Sequence, residues 1–246
     1  MPDRSEVALI VGAGDFIGAA IARRFAAGGF TTVVARRTAE KLAPLVAEIA
    51  AAGGTGHARA LDAREEGDVQ AAFESIERDL GPLGVVVFNV GANVNFPIRD
   101  TTSRVFRKVW EMACFGGFLT GREAAKVMVP RGRGSIFFTG ATASLRGGKG
   151  YAAFAAAKSG LRMLAQSMAR ELWPENIHVA HLVIDAGVDT AWVRERIRAA
   201  GGDPESLPAD TLMDPASVAE AYWSLHRQPR DAWTFELEIR PYRETW

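Results

Sequence analysis

Val7-Ala8-Leu9-Ile10-Val11-Gly12-Ala13-Gly14-Asp15-Phe16-Ile17-Gly18 is the stretch whose reading decides the fold. An unbroken apolar run ends in Gly12, Gly14 and Gly18, and an Ala-rich segment of helical length follows, AAIARRFAAGG (19–29). Continuous apolar residues suit a strand buried on both faces. Glycines allow the chain to leave that strand through a tight turn. They also let backbone N–H groups at the positive end of the new helix approach a pyrophosphate. Near neighbours of the turn, Phe16 and Ile17, would line the same approach.

The alternation continues outward from this turn. Apolar or β-branched runs recur at 31–36, 57–62, 85–91, 135–140, 177–185 and 234–239, and most are separated by amphipathic stretches such as AEKLAPLVAEIAAAGG (39–54). Strand–helix–strand repetition predicts an α/β doubly wound parallel sheet with right-handed crossovers. At 246 residues and 48% apolar composition the chain can bury one substantial core. No linker, low-complexity tract or repeat divides it, so one domain over 1–246 is expected. The loop-rich GGDPESLPAD (201–210) falls within an expected substrate flap over 186–215.

Composition removes several classes of function. The 29 Lys plus Arg balance 29 Asp plus Glu, so no net field draws the chain to nucleic acid or to an anionic membrane. One cysteine excludes a disulfide framework, and four scattered histidines give no metal-ligand spacing. No apolar run is long enough to span a bilayer, and no signal pattern precedes the first strand. A cytoplasmic protein with no metal and a small-molecule substrate is the expectation.

The end of the second strand selects the nucleotide. An acid there would accept hydrogen bonds from adenosine ribose hydroxyls, whereas this chain has Arg36 and Arg37. Guanidinium groups give a 2′-phosphate charge-assisted hydrogen bonds, so NADP is preferred and NAD remains possible. Asp15 in the glycine turn either repels that phosphate or pairs with one of the arginines.

Together, Gly12–Gly18, Asp62 after the third strand, Phe88-Asn89-Val90-Gly91 after the fourth, the Lys158 region and Thr190 after the sixth resemble the short-chain dehydrogenase/reductase family along nearly the whole chain. The resemblance implies a seven-stranded Rossmann fold, self-associated as a dimer or tetramer. It implies that Asp62, with Ala63, binds adenine, and that Asn89, Val90 and Gly91 lie along the adenosine ribose. Lys158 would hold the nicotinamide ribose, and Thr190 with Val188 would contact the carboxamide. It also implies a main subunit contact through the helical stretches 103–130 and 150–172.

The departures from that family pattern concern the chemistry. The middle glycine of the usual turn is Phe16, and the usual Pro-Gly after the sixth strand is Asp185-Ala186. Lys158 is preceded four residues earlier by Phe154 where the family has tyrosine. Ala141 stands at the serine position and Ala113 at the asparagine position. Phenylalanine has no proton to give a developing alkoxide, and a positioned acid is worth roughly 10²–10⁴ in rate. Tyr151 lies seven residues before Lys158, about two helical turns or about 10 Å along an axis. That spacing resembles the divergent enoyl-thioester reductases of the same superfamily, in which the tyrosine binds the thioester carbonyl; packing at the helix entrance is the alternative. Thr139 and Thr142 flank Ala141 as substitute hydroxyls or as structural bonders, and Asp185 reads as a proton relay or a loop cap. Trp192, Trp223, Trp233 and Trp246 are candidates for a substrate pocket or a subunit contact. Two functions follow: an oxidoreductase delivering hydride to a carbonyl or enoyl thioester through Lys158 and Tyr151, or a catalytically impaired dinucleotide-binding sensor or scaffold.

Overall fold

A computed structural model describes residues 6–244; Trp246 lies outside the described residues. Seven parallel strands form one sheet: β1 (Val7–Val11), β2 (Thr31–Arg36), β3 (Thr55–Ala60), β4 (Leu83–Phe88), β5 (Gly134–Thr139), β6 (Ile177–Ile184) and β7 (Glu236–Ile239), in the order β3-β2-β1-β4-β5-β6-β7. The order reverses between β1 and β4, and the crevice beyond the strand ends at such a reversal is where α/β sheets bind ligands.

Eight α-helices cover the two faces: α1 (Ile17–Ala27), α2 (Ala43–Ala51), α3 (Glu66–Asp79), α4 (Ser103–Trp110), α5 (Gly116–Met128), α6 (Ala152–Leu172), α7 (Ala191–Ala199) and α8 (Pro215–His226) among the described residues. The continuous apolar strands divide their side chains by the two-residue period. Leu9, Val11 and Val86 pack toward Phe73 of α3, Leu119 of α5 and Leu161 of α6. Ala8, Ile10 and Val87 pack toward Phe25 of α1, Ile49 of α2 and Tyr222 of α8. Each fully buried Phe or Ile side chain contributes about 1.5–3 kcal/mol relative to exposure.

Two local features shape the site. Between α4 and α5 the chain takes a π-helical turn over Glu111–Phe115. Its wider register turns Ala113 and Cys114 inward, into a cluster with Phe154 and Ala157. The second is the segment after β6. Val188 bridges Met213 in parallel, Met213 donates to the Gly187 carbonyl, and the α7 helix is held out between them at the sheet's C-terminal edge.

Most of the late tryptophans serve packing. Trp223 lies over Gly28, where an added Cβ would come within 2.3 Å of the indole, and Trp233 stacks on His178 at 4.8 Å. Of the described candidates Trp192 lines a cavity at the C-terminal strand ends, whereas Trp233 borders one at the opposite end of the sheet. His178 and His181 are buried, bonded to the Thr234 carbonyl and to Glu236.

Candidate active site

Two adjoining clefts open along the C-terminal strand ends. The first, about 310 Å³, lies between the β1–α1 turn and the ends of β2, β3 and β4. Gly12 has φ +84°, and a Cβ there would sit 2.8 Å from the Asn89 carbonyl oxygen, so both conformation and space require glycine. Gly18 is equally confined, with an added Cβ 2.7 Å from the Ala13 Cα. Gly14 meets nothing within 4 Å and lines the open cleft. Phe16 occupies the N-cap of α1 without a side-chain capping bond, so the helix keeps N–H donors facing that end. These features fit a pyrophosphate seated on the turn.

Arg36 and Arg37 line the same cleft. Asp15 approaches Arg36 at 4.0 Å, and both side chains are solvent-accessible. Such a surface pair is worth at most about 1 kcal/mol, which a phosphate's charge-assisted bonds would exceed. Asp62 is gripped by the Arg64 guanidinium through both carboxylate oxygens and accepts from the Arg64 backbone N–H at 3.1 Å. The guanidinium holds the Asp62 carboxyl below the usual carboxylate range. Ala63, Asn89, Val90 and Gly91 border the cleft beside it.

Asn89 ties three strand ends together. Its amide donates to the Gly12 carbonyl at 3.2 Å, and its oxygen accepts from the Thr139 hydroxyl at 3.0 Å. Thr139 also shares a 2.7 Å bond with the buried Tyr222 hydroxyl. The Thr139 hydroxyl is therefore engaged within the sheet.

Lys158 stands at the floor of the second cleft, about 590 Å³. It projects from α6, is 3% exposed, and donates to the Thr139 carbonyl at 2.8 Å and the Val90 carbonyl at 3.1 Å. No carboxylate pairs with it among the described residues. Burial pushes its ammonium down to about 8. Two of its three protons are placed by carbonyls, which leaves one for a ligand. Phe154, one turn earlier, puts its ring centroid 6.0 Å from the Lys158 Nζ. Ala141 and Phe154 form the cleft wall, with Ala113 buried behind. Cys114 is buried too. Folding brings it within electrostatic range of Lys158, and burial pushes the thiol up.

A third cavity, about 390 Å³, continues past Phe154 and is lined by Tyr151, Asn93, Thr142 and Arg146. Tyr151 does not extend α6. It precedes the helix at φ −105°, ψ 20°, as its N-cap residue. Its carbonyl nonetheless accepts the first helical bond, from the Ala155 N–H at 2.8 Å, so Tyr151 stands at the entrance of the helix, and Phe154 borders both cavities. The Tyr151 hydroxyl accepts from Arg196 of α7 at 3.5 Å, and that cation draws the phenol below its ordinary value.

The remaining hydroxyls near the wall each hold a structural bond, Thr142 as donor and Ser144 and Thr190 as acceptors. Thr142 donates to Asp185, Ser144 accepts from the Ala141 N–H at 3.1 Å, and Thr190 caps α7 by accepting from the Val193 N–H at 3.1 Å. Thr190 and Val188 nonetheless line the second cleft. Asp185 is 2% exposed and paired with Arg146 and Arg240 at 3.2 and 3.0 Å. That places it as a charge hub joining the end of β6 to the loop bearing Ala141 and to the chain after β7. Sequence reading passed over Arg64 and Arg196. Arg64 stands two residues after Asp62, and Arg196 lies within the Arg-x-Arg-x-Arg of α7, where only packing decides which arginine borders the cavity.

A doubly wound sheet with a glycine turn at its switch point and a buried lysine beside it defines a dinucleotide-type oxidoreductase scaffold. The family model described as short chain dehydrogenase matches residues 6–200, and the chain belongs to that family. The oxidoreductase YuxG of Bacillus subtilis, named as uncharacterized, is 34% identical over 211 residues; these are 82% of this chain and 31% of YuxG. The chain thus spans about a third of that relative's length. A crystal structure of a short-chain dehydrogenase from Rhodopseudomonas palustris is 58% identical with a TM-score of 0.83, covering 97% of this chain and 100% of that one. A metagenomic short-chain oxidoreductase solved in complex with NADP is 25% identical with a TM-score of 0.82, covering 97% and 98%.

Proposed function

We propose that this protein is an NADP(H)-dependent oxidoreductase acting on a small molecule, and that its acceptor is a conjugated carbonyl of the enoyl-thioester kind in preference to an isolated ketone. The observation that carries this reading is the wall beside Lys158. It is built from Phe154 and Ala141; the Thr139 and Thr142 hydroxyls are bonded to Asn89 and Asp185, and Ser144 is buried and lines neither cavity. An isolated ketone needs a proton donor at its oxygen as the alkoxide forms. A conjugated acceptor spreads its charge into an enolate and needs a stabilising donor or cation more than an acid.

When bound, NADPH supplies the hydride. The chain's own residues have distinct tasks. Gly12 and Gly14 leave room for the pyrophosphate, with Phe16 and Ile17 at the helix start. Arg36 and Arg37 offer guanidinium donors to a 2′-phosphate. Asp62, Ala63, Asn89, Val90 and Gly91 border the adenosine, and Lys158, Val188 and Thr190 border the nicotinamide end. Lys158 keeps a positive charge beside the reacting region, and the Tyr151 hydroxyl donates to a substrate carbonyl in the outer cavity.

The absence of a hydroxyl at 154 and 141 also favours a second reading, a dinucleotide-binding sensor or scaffold without turnover. Calorimetric titration with NADPH and NADH, followed by a turnover assay on enoyl thioesters, separates the two. The first reading expects tight NADPH binding, weaker NADH binding and turnover. In Arg36→Ala/Arg37→Ala, NADPH affinity should fall by about ten-fold or more, since a hydrogen bond to a charged group is worth about 1.5–3 kcal/mol. Binding without turnover supports the sensor, and no binding of either nucleotide defeats both.

Self-association belongs to the same proposal. Phe106, Trp110, Phe118 and Met163 are 38–47% exposed on α4, α5 and α6, and Trp110, Phe115 and Phe118 stack in a row at 5.9 and 6.0 Å. An aromatic patch of this kind suits a dimer contact. The unpaired Cys114 suits a reducing, cytoplasmic setting.

A further inference from the structure

The second and third cavities share the Phe154 wall, and their linings hold Lys158, Arg146 and Arg196 but no aspartate or glutamate among the described residues. The whole chain is charge-balanced, so this segregation is local. A cavity lined by one sign of charge raises the local concentration of ligands of the opposite sign.

The three cations differ in how they are compensated. Arg146 is paired with Asp185 at 3.2 Å. Lys158 is held by two carbonyls at the end assigned to the cofactor. Arg196 meets no carboxylate among the described residues. Its neighbours on α7 behave otherwise: Arg194 pairs with Asp189 and Glu205 at 2.5 and 3.0 Å, and Arg198 pairs with Glu195 and Glu205 at 3.6 and 3.3 Å. Asp189, Glu195 and Glu205 are thus engaged by Arg194 and Arg198, neither of which lines the cavity. Arg196, though exposed, borders the cavity, lays its guanidinium over the Trp192 ring at 4.7 Å, and reaches the Tyr151 hydroxyl at 3.5 Å. Stacking on an indole leaves the guanidinium edge free for a planar anion.

We infer that Arg196 recognises a carboxylate carried by the substrate, leaving the Tyr151 hydroxyl to the carbonyl, so that the acceptor is an apolar, conjugated molecule bearing an anionic group. This rests on the oxidoreductase reading above and adds a specificity-determining residue to it. The Phe154 wall and the Trp192 ring would take the apolar body, and Arg196 would fix which end faces Lys158.

The test uses naphthoate and its neutral counterpart naphthamide, titrated calorimetrically into the protein with and without saturating NADP. Naphthoate should bind about ten-fold tighter than naphthamide, the difference a charge-assisted hydrogen bond makes. Arg196→Gln should bring the two probes to within about two-fold while naphthamide binds as before. Arg198→Gln, on the same helix but outside the cavity, should keep the preference. Arg196→Lys should retain part of it, which guards against a glutamine variant that disturbs α7. Equal affinity for the two probes, binding of neither, or an undiminished preference in Arg196→Gln would overturn the inference. Failure to bind NADP in the same preparations would instead defeat the cofactor reading. The naphthoate preference measured without nucleotide would stand, because Arg196 is outside the cofactor-holding set.

Discussion

At Lys158 a single buried ammonium group is held between the Thr139 and Val90 carbonyls, with no carboxylate partner among the described residues. Burial lowers its pKa to about 8, below the ordinary lysine value. Between these two values the unfolded chain holds a proton that the folded chain does not. Stability therefore rises with pH across this window, by up to about 1.4 kcal/mol per unit. Nucleotide affinity should move the other way, because above about pH 8 the charge and one donor are lost. Calorimetry across pH 7–10 should show NADPH affinity falling in the wild type, with no such break in Lys158→Met. A second prediction concerns Phe154, whose ring lies 6.0 Å from the Lys158 Nζ. Phe154→Tyr with Ala141→Ser would restore a proton donor and a hydroxyl to the wall. If the cavity admits a ketone, turnover of simple ketones should rise by roughly 10²–10⁴ over the parent chain; an unchanged rate would mean that the cavity itself excludes them.

The elements position these residues through close contacts. The β1–α1 turn works because Gly18 brings α1 against the backbone of Ala13, where an added Cβ would lie 2.7 Å from the Ala13 Cα. Backbone cannot swing aside as a flexible side chain can. Gly18→Ala should therefore cost about 1–3 kcal/mol in urea unfolding and weaken NADPH binding through the displaced turn. The glycine turn, the arginine pair and the lysine on its helix were legible in sequence because each belongs to a local pattern. Tyr151 was legible as a candidate, and α6 begins just after it, at Ala152. The π-turn at Glu111–Phe115 has no spacing signature. Just beyond it, Gly117 lies so close to Leu161 that a Cβ would come within 2.4 Å.

In the whole molecule, exposed aromatic surface and segregated charge say more than any single motif. The row of Trp110, Phe115 and Phe118 runs along the outer helical face. Sedimentation velocity should find a dimer or larger species, and Trp110→Glu with Phe118→Glu should shift it to monomer while the circular dichroism spectrum is retained. A monomeric wild type would remove the self-association proposal. The sequence by itself determined the doubly wound sheet, the glycine turn at its switch point and the kinds of residue near the nucleotide. These depend on periodicity and on contacts only a few residues apart. Tertiary structure alone decided which charges are compensated. Asp185 is drawn into a buried pairing with Arg146 and Arg240, and Arg196 is left beside the Tyr151 hydroxyl with no carboxylate among the described residues. Ion pairing depends on distances of a few ångströms between segments far apart in the chain, and those distances exist only once the sheet has brought its strand ends together.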